Sequence, residues 1–147
     1  MGTFHTRCRI ANPNRRTKSA VIPKILVDTG SEYTWVPAPM LERLSIGREK
    51  KDVRFVMANG EQITRRVGFA IVRVDTSFTI DEVVFGEPGD LTLLGARTLE
   101  GLNLMVDTQR KKLVAAGPLP AAALSPCGRH TAPWSARNSE GRGQREK

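Results

Sequence analysis

Ile25-Leu26-Val27-Asp28-Thr29-Gly30-Ser31-Glu32-Tyr33-Thr34-Trp35-Val36 is the stretch on which the reading of this chain turns. Three aliphatic residues end at an acid, a Thr-Gly pair and a polar stretch follow, and a β-branched and aromatic run starts at Tyr33. Successive apolar residues are what a strand buried on both faces presents, and β-branched and aromatic residues favour strands. The segment predicts strand, tight loop, strand, with Asp28 at the mouth of the loop. Taken alone, Asp-Thr-Gly is equally an ordinary β-turn, where Asp and Gly are common.

The flanking sequence has the same texture. Thr3 to Ile10 alternates as a strand, Asn12-Pro13-Asn14 with the basic residues that follow is a turn, and Val21 to Val27 is a second, largely buried strand. Pro23 lacks an N–H for the ladder and is expected near that strand's edge. Pro37 stops the Tyr33 strand, and Pro39 to Leu44 has the composition of a short helix. Val53 to Met57 leads through Ala58-Asn59-Gly60-Glu61 into a return strand from Gln62 to Val74. Asn-Gly is a strong hairpin signal because both residues accept positive φ. Phe78 to Phe85 is a further strand, Leu91 to Leu94 a short apolar one ended by Gly95, and Ala96 to Leu102 a helix. Asn103 to Val106 and Lys112 to Ala115 make a last pair. Short strands punctuated by turns mark an all-β domain.

Composition narrows the function classes. The chain has 147 residues, 39% of them hydrophobic, enough for one modest core. No apolar run approaches the length of a membrane span, and the first residues lack the apolar stretch of a signal peptide, so a cytoplasmic location is expected. Cys8 and Cys127 are too few for a disulfide framework, and His5 and His130 have no partners at metal-ligand spacing, so neither metal nor cofactor is expected. Net charge is +8; residues 1–116 hold 18 Lys and Arg against 13 Asp and Glu, and residues 117–147 hold 5 against 2. With one Tyr, two Trp and no nucleic-acid-binding motif, that charge reads as solvated turns, and nucleic-acid binding is not expected as a main function. Residues 117–147 are rich in Pro, Ala and Gly, basic and without periodicity; they are expected to be a mostly disordered tail behind a domain of residues 1–116.

Two more segments bring out a likeness. Ile25 to Val36 resembles the active-site segment of aspartic proteases. Leu91 to Val106 (LTLLGARTLEGLNLMV) is similar to the retropepsin segment in which a hydrophobic pair and a glycine precede the last helix, and the hairpin about Asn59-Gly60 stands where that family has its flap. The resemblance spans roughly residues 3 to 115, in order. It implies a closed, retropepsin-like β-barrel with one or two short helices and a flap hairpin, and an aspartic endopeptidase acting on extended peptide.

Such enzymes need two carboxylates around one water, and this chain has one Asp-Thr-Gly. Val74-Asp75-Thr76-Ser77 and Val106-Asp107-Thr108-Gln109 read as turns. The resemblance therefore implies a homodimer to which each chain contributes Asp28. By the same resemblance, Thr29 hydrogen-bonds across the two-fold axis, Gly30 lets substrate backbone approach, and Ser31 and Glu32 contact substrate. Met57, Ala58, Asn59 and Gly60 cover the substrate; Met57 and Ile63 fit packing on the hairpin's inner face equally well. Leu93, Leu94 and Gly95 support the catalytic loop. Retroviral enzymes place a basic partner for the acid directly after that glycine; here Ala96 stands there, and Arg97, one residue later, is the candidate partner of Glu32. The other reading is a catalytically idle dimer of the same fold that binds peptides or serves assembly.

Overall fold

The computed structural model describes residues 3–121. Met1–Ala116 form one compact unit, which carries both sheets and both helices of the described residues. The expected tail beyond residue 121, with Cys127 and His130, lies outside the described residues.

Strands dominate the unit. β1 (Phe4–Asn12) and β2 (Arg15–Val27) form an antiparallel hairpin, followed by β3 (Thr34–Pro37) and a six-residue helix, α1 (Ala38–Arg43). β4 (Lys50–Val56) and β5 (Gln62–Val74) make a second hairpin, and β6 (Ser77–Gly86) returns along β5. The dipeptide β7 (Leu93–Leu94) precedes α2 (Ala96–Leu102), and β8 (Leu104–Asp107) with β9 (Lys112–Ala115) forms a separate two-stranded sheet. The expected strand Leu91–Leu94 is thus shorter, because Leu91 is 64% exposed while Leu93 and Leu94 are buried.

The main sheet runs β1-β2-β7-β3-β6-β5-β4, and β1 pairs in addition with β5 through Arg9↔Arg73, Ile10↔Val72 and Ala11↔Ile71. β7 is threaded between two strands: parallel to β2 (Leu26↔Leu93, Val27↔Leu94) and antiparallel to β3 (Trp35↔Leu93). With neighbours on both sides and apolar clusters on both faces, its side chains have to be apolar.

Alternation sets the faces. In β1, His5, Arg7 and Arg9 are exposed while Cys8 and Ile10 are buried. One core cluster gathers Ile10, Ile25, Val36, Val72, Val83 and Leu94 under both helices; the other, around Trp35, Val67, Val84 and Leu93, lies on the side of the β4–β5 hairpin. Burial pushes the Cys8 thiol up to about 12, which leaves it an inert part of the core.

Three local readings change. The basic residues after Asn14 are not turn but the start of β2, which pairs with β1 from Arg15 onward, and only Ile22, Ile25 and Val27 of this strand are buried. Pro23 sits at an irregularity inside β2, where register passes from Thr6↔Ile25 to Cys8↔Ile22, so two residues of β2 face Arg7 alone. A bulge removes the need for the N–H that proline lacks. The β4–β5 connection is a three-residue loop, with Gly60 N–H donating to Met57 O (2.8 Å) and Met57 N–H to Glu61 O (2.7 Å). Of Asn59 and Gly60 only the glycine has positive φ (88°); Asn59 instead accepts the Glu61 N–H on Oδ1 (2.9 Å). This is the loop in which a turn is closed by a left-handed glycine, not the two-residue Asn-Gly turn.

Candidate active site

The loop between β2 and β3 is held by three backbone hydrogen bonds to β7 and the start of α2. Asp28 N–H donates to Leu94 O (3.0 Å), Ala96 N–H to Ser31 O (2.7 Å) and Arg97 N–H to Glu32 O (3.0 Å). A helix leaves its first N–H groups without intrahelical partners. Here α2 has no side-chain cap, and the carbonyls of the Asp28 loop take that role. Inside the loop, Ser31 N–H donates to Asp28 O (3.2 Å), and Gly30 N–H donates to Asp28 Oδ1 (2.9 Å), which fixes the carboxyl group's orientation.

Beneath this lies a polar chain. Gly95 N–H donates to Thr34 Oγ1 (3.0 Å), Thr34 and Thr98 hydroxyls are 2.6 Å apart, and Thr98 Oγ1 donates to Asp81 Oδ2 (3.0 Å). A hydroxyl has one proton. With Thr98 donating to Asp81, Thr34 must donate to Thr98, so every bond in the chain has one direction. Both threonines are fully buried, and the sequence signal was a polar residue in the otherwise apolar Thr34-Trp35-Val36.

Gly95 allows the close approach. A Cβ at this position would lie 2.6 Å from Tyr33 C and 2.7 Å from Glu32 O, and closer still to Tyr33 O. Its φ of −94° is accessible to any residue, so the need for glycine is steric.

A cleft of about 590 Å³ opens above the loop. Asp28, Gly30, Ser31 and Glu32 form its floor; Trp35, Asp90, Leu91 and Leu93 a wall; and Arg54 to Ala58 its cover. Met57 and Ala58 therefore border the cleft with Asp28, whereas Thr29, Asn59 and Gly60 are exposed and lie outside its lining. Ile63 packs against the Trp35 cluster. The cover is anchored by Phe55, whose ring meets Tyr33 edge-on at 5.2 Å and Trp35 at 5.1 Å. Neither Phe55 nor Tyr33 was singled out in the sequence, although Val53 and Phe55 share one face of a period-two strand.

Arg97 departs from the expected pairing with Glu32. Its guanidinium lies 4.7 Å from the Tyr33 ring centroid and 3.4 Å from Glu82 Oε2, and only its backbone N–H reaches Glu32. The strongest ion pair at the site was not foreseen. Arg65 of β5 grips Asp90 through two bonds, Nε to Oδ2 (2.7 Å) and Nη2 to Oδ1 (3.0 Å), with 14% and 12% of the two side chains exposed. Asp90 Oδ2 also accepts the Glu87 N–H (2.8 Å). The clamp ties the cleft wall to the hairpin's return strand.

Arg65, chiefly through these hydrogen bonds, holds the Asp90 carboxyl below its ordinary value. A depressed carboxyl stabilises the fold above its unfolded-state value of about 3.9, and that contribution is lost as pH falls through the lower folded-state value. Arg65→Leu is expected to lower stability in urea by about 1 kcal/mol at neutral pH, since it leaves a partly buried carboxylate with only the Glu87 N–H as partner. The deficit should shrink below about pH 4. A deficit that is absent at neutral pH, or constant down to pH 2, would contradict the clamp.

The other two Asp-Thr pairs lie in turns. Asp75 (φ 53°) links β5 to β6, and Asp107 Oδ1 accepts the N–H groups of Gln109 and Arg110 at 3.1 Å each. No group of three or more His, Cys, Asp or Glu side chains suited to a metal occurs among the described residues. No helix among them is long and apolar enough to cross a membrane.

Residues 20–101, more than half of the chain, match the family model described as gag-polyprotein putative aspartyl protease. The match begins within β2 and ends within α2, so it takes in Asp28, the β4–β5 hairpin and Leu93-Leu94-Gly95. No curated protein matches the sequence at a significant level.

Proposed function

The chain belongs to the retropepsin-like aspartyl protease family identified by that match, and from this premise we propose that it is an aspartic endopeptidase whose site is completed by a second copy of the chain. The observation that carries the reading is the placement of Asp28. It follows directly on β2, whose last residues include the buried Ile25 and Val27 although Pro23 and Lys24 are exposed, its carboxyl is oriented by the Gly30 N–H, and it forms the floor of a cleft covered by a hairpin. With one Asp-Thr-Gly per chain, the second carboxylate comes from the partner across a two-fold axis.

In such a pair both carboxyls cannot ionise together, so the dyad titrates as a unit, a behaviour for which aspartic proteases are the standard example. The ionised member takes a proton from water as the water attacks the scissile carbonyl, and the neutral member donates to the carbonyl oxygen. Thr29, exposed beside Asp28, is assigned to contact across the axis. Gly30, Ser31 and Glu32 from below, and Met57 and Ala58 from above, are assigned to the backbone of an extended peptide, with Asn59 and Gly60 shaping the hairpin tip. Leu93, Leu94, Gly95 and the backbone of Arg97 keep the loop in place. The extra β1–β5 pairing supports reading the sheet as a closed barrel, and residues 1–116 as the catalytic domain with 117–147 as an appended tail.

A site shared by two chains makes activity concentration-dependent. Hydrolysis of a fluorogenic peptide, divided by chain concentration, is expected to fall on dilution, with the rate approaching the square of concentration where monomers predominate. A statine-type transition-state analogue should inhibit and should also restore the dimer. Activity per chain that stays constant while sedimentation shows monomer would rule out the shared site.

A further inference from the structure

The first 27 residues hold six Lys and Arg and no Asp or Glu, and the fold concentrates these cations on the β1–β2 hairpin. Arg7 and Arg9 point outward from β1, and Arg73 of β5 lies directly beside Arg9 in register. These three border a concavity of about 200 Å³ in which Asp75 is the one carboxylate among the described residues. None of Arg7, Arg9, Arg16 or Arg73 makes an ion pair among the described residues, so the charge faces solvent uncompensated.

The same sheet face exposes aromatic and aliphatic surface. Phe78, in register with Arg73, is 47% exposed; Ile80 is 53% and Phe69 41% exposed, one and two rows further along β5 and β6. Arg73 lies 4.8 Å and Arg16 5.9 Å from the Phe78 ring centroid, so flat guanidinium and phenyl groups stand together at the edge of the cationic concavity. Glu82, the acid beside Phe69, is engaged by Lys50 (2.9 Å) and Arg97 (3.4 Å). The cationic end of the face is remote from Asp28, while its Phe69 end lies beside Glu82, the partner of Arg97. Phe4 pairs with Val27 beside the catalytic loop, and Arg9 lies five residues further along β1, about 17 Å at strand rise.

We propose that the β1–β5–β6 face is a docking surface for single-stranded nucleic acid, with Arg7, Arg9, Arg16 and Arg73 on phosphates and Phe69 and Phe78 under bases. Uncompensated arginines alone would suit any polyanion. What favours a nucleic acid is the row of planar side chains beside them, because bases stack on aromatic rings and on guanidinium planes, and a chain of phosphates alone has nothing to place there. The expectation drawn from the small number of Tyr and Trp left out the phenylalanines, whose exposure only the fold reveals.

The test uses the full chain and a labelled 20-nucleotide single-stranded RNA, followed by fluorescence anisotropy between 25 and 300 mM salt. Four phosphate contacts predict a log–log salt slope of about −3. The paired change Arg9→Glu with Arg73→Glu should weaken binding at least tenfold and flatten the slope. Phe69→Ala with Phe78→Ala should weaken binding about tenfold and leave the slope unchanged, because stacking releases no counterions. Circular dichroism should be unchanged in both. Asp28→Asn should bind as wild type does, so the result is independent of the peptidase reading. Absence of salt-dependent binding, or binding indifferent to the phenylalanine pair and displaced equally by polyphosphate, would overturn the proposal. So would binding to phosphatidylserine vesicles without binding to RNA, which would assign the face to a membrane surface.

Discussion

Asp28→Asn is expected to reduce peptide hydrolysis by a factor of about 10⁴ or more, while leaving fold and dimer intact. Asparagine is nearly the same size, and its side-chain oxygen can still accept the Gly30 N–H now held by Oδ1. What it cannot do is take a proton from water. Because the proposed dyad uses one such residue from each chain, a single substitution removes both carboxylates at once. Kinetics on a fluorogenic peptide, with sedimentation to confirm the dimer, would measure this. Comparable turnover by mutant and wild type would end the peptidase reading and leave the idle peptide-binding dimer in its place.

Gly95→Ala is expected to be the most damaging small substitution in the fold, costing about 4 kcal/mol or leaving no folded protein. Its methyl group would press into the backbone of Glu32 and Tyr33, and backbone cannot yield as a flexible side chain can. Any shift that relieved the clash would lengthen the bonds from Gly95, Ala96 and Arg97 to Thr34, Ser31 and Glu32, and so would move the Asp28 loop. Gly60→Ala is the control. Its Cβ would meet nothing within 4 Å, and the cost is confined to the positive φ of 88°, about 1 kcal/mol. Equal urea midpoints for the two variants would show that Gly95 is not under the steric demand described.

These residues also show what a sequence yields and what it withholds. The strand from Gln62 to Val74 and the helix from Ala96 to Leu102 have the predicted bounds, because alternation and a leading glycine are local signals. The Asp28 segment was legible for the same reason, as an apolar run ending at an acid. Arg97 was misread because its guanidinium is placed by Tyr33 and by Glu82 on β6, and nothing near residue 97 in the sequence indicates that strand's proximity. Arg65 and Asp90 were invisible likewise, since a bidentate pair 25 residues apart leaves no spacing pattern. Pro23 and Gly60 were recognised as special, but bulge and turn type depend on the register of the opposite strand.

The two-residue strand β7 bears on the order in which the molecule assembles. Leu94 O accepts the Asp28 N–H from 66 residues back along the chain, and the pairs Leu26↔Leu93 and Val27↔Leu94 close comparable loops. Contacts of such separation carry a large loop-closure cost and are slow to form. The loop bearing Asp28 thus reaches its final geometry only after the chain has been made through α2 and β7 has slotted between β2 and β3. A nascent or half-folded chain holds the acid without the geometry, so the proposed hydrolytic activity would not precede the completed fold.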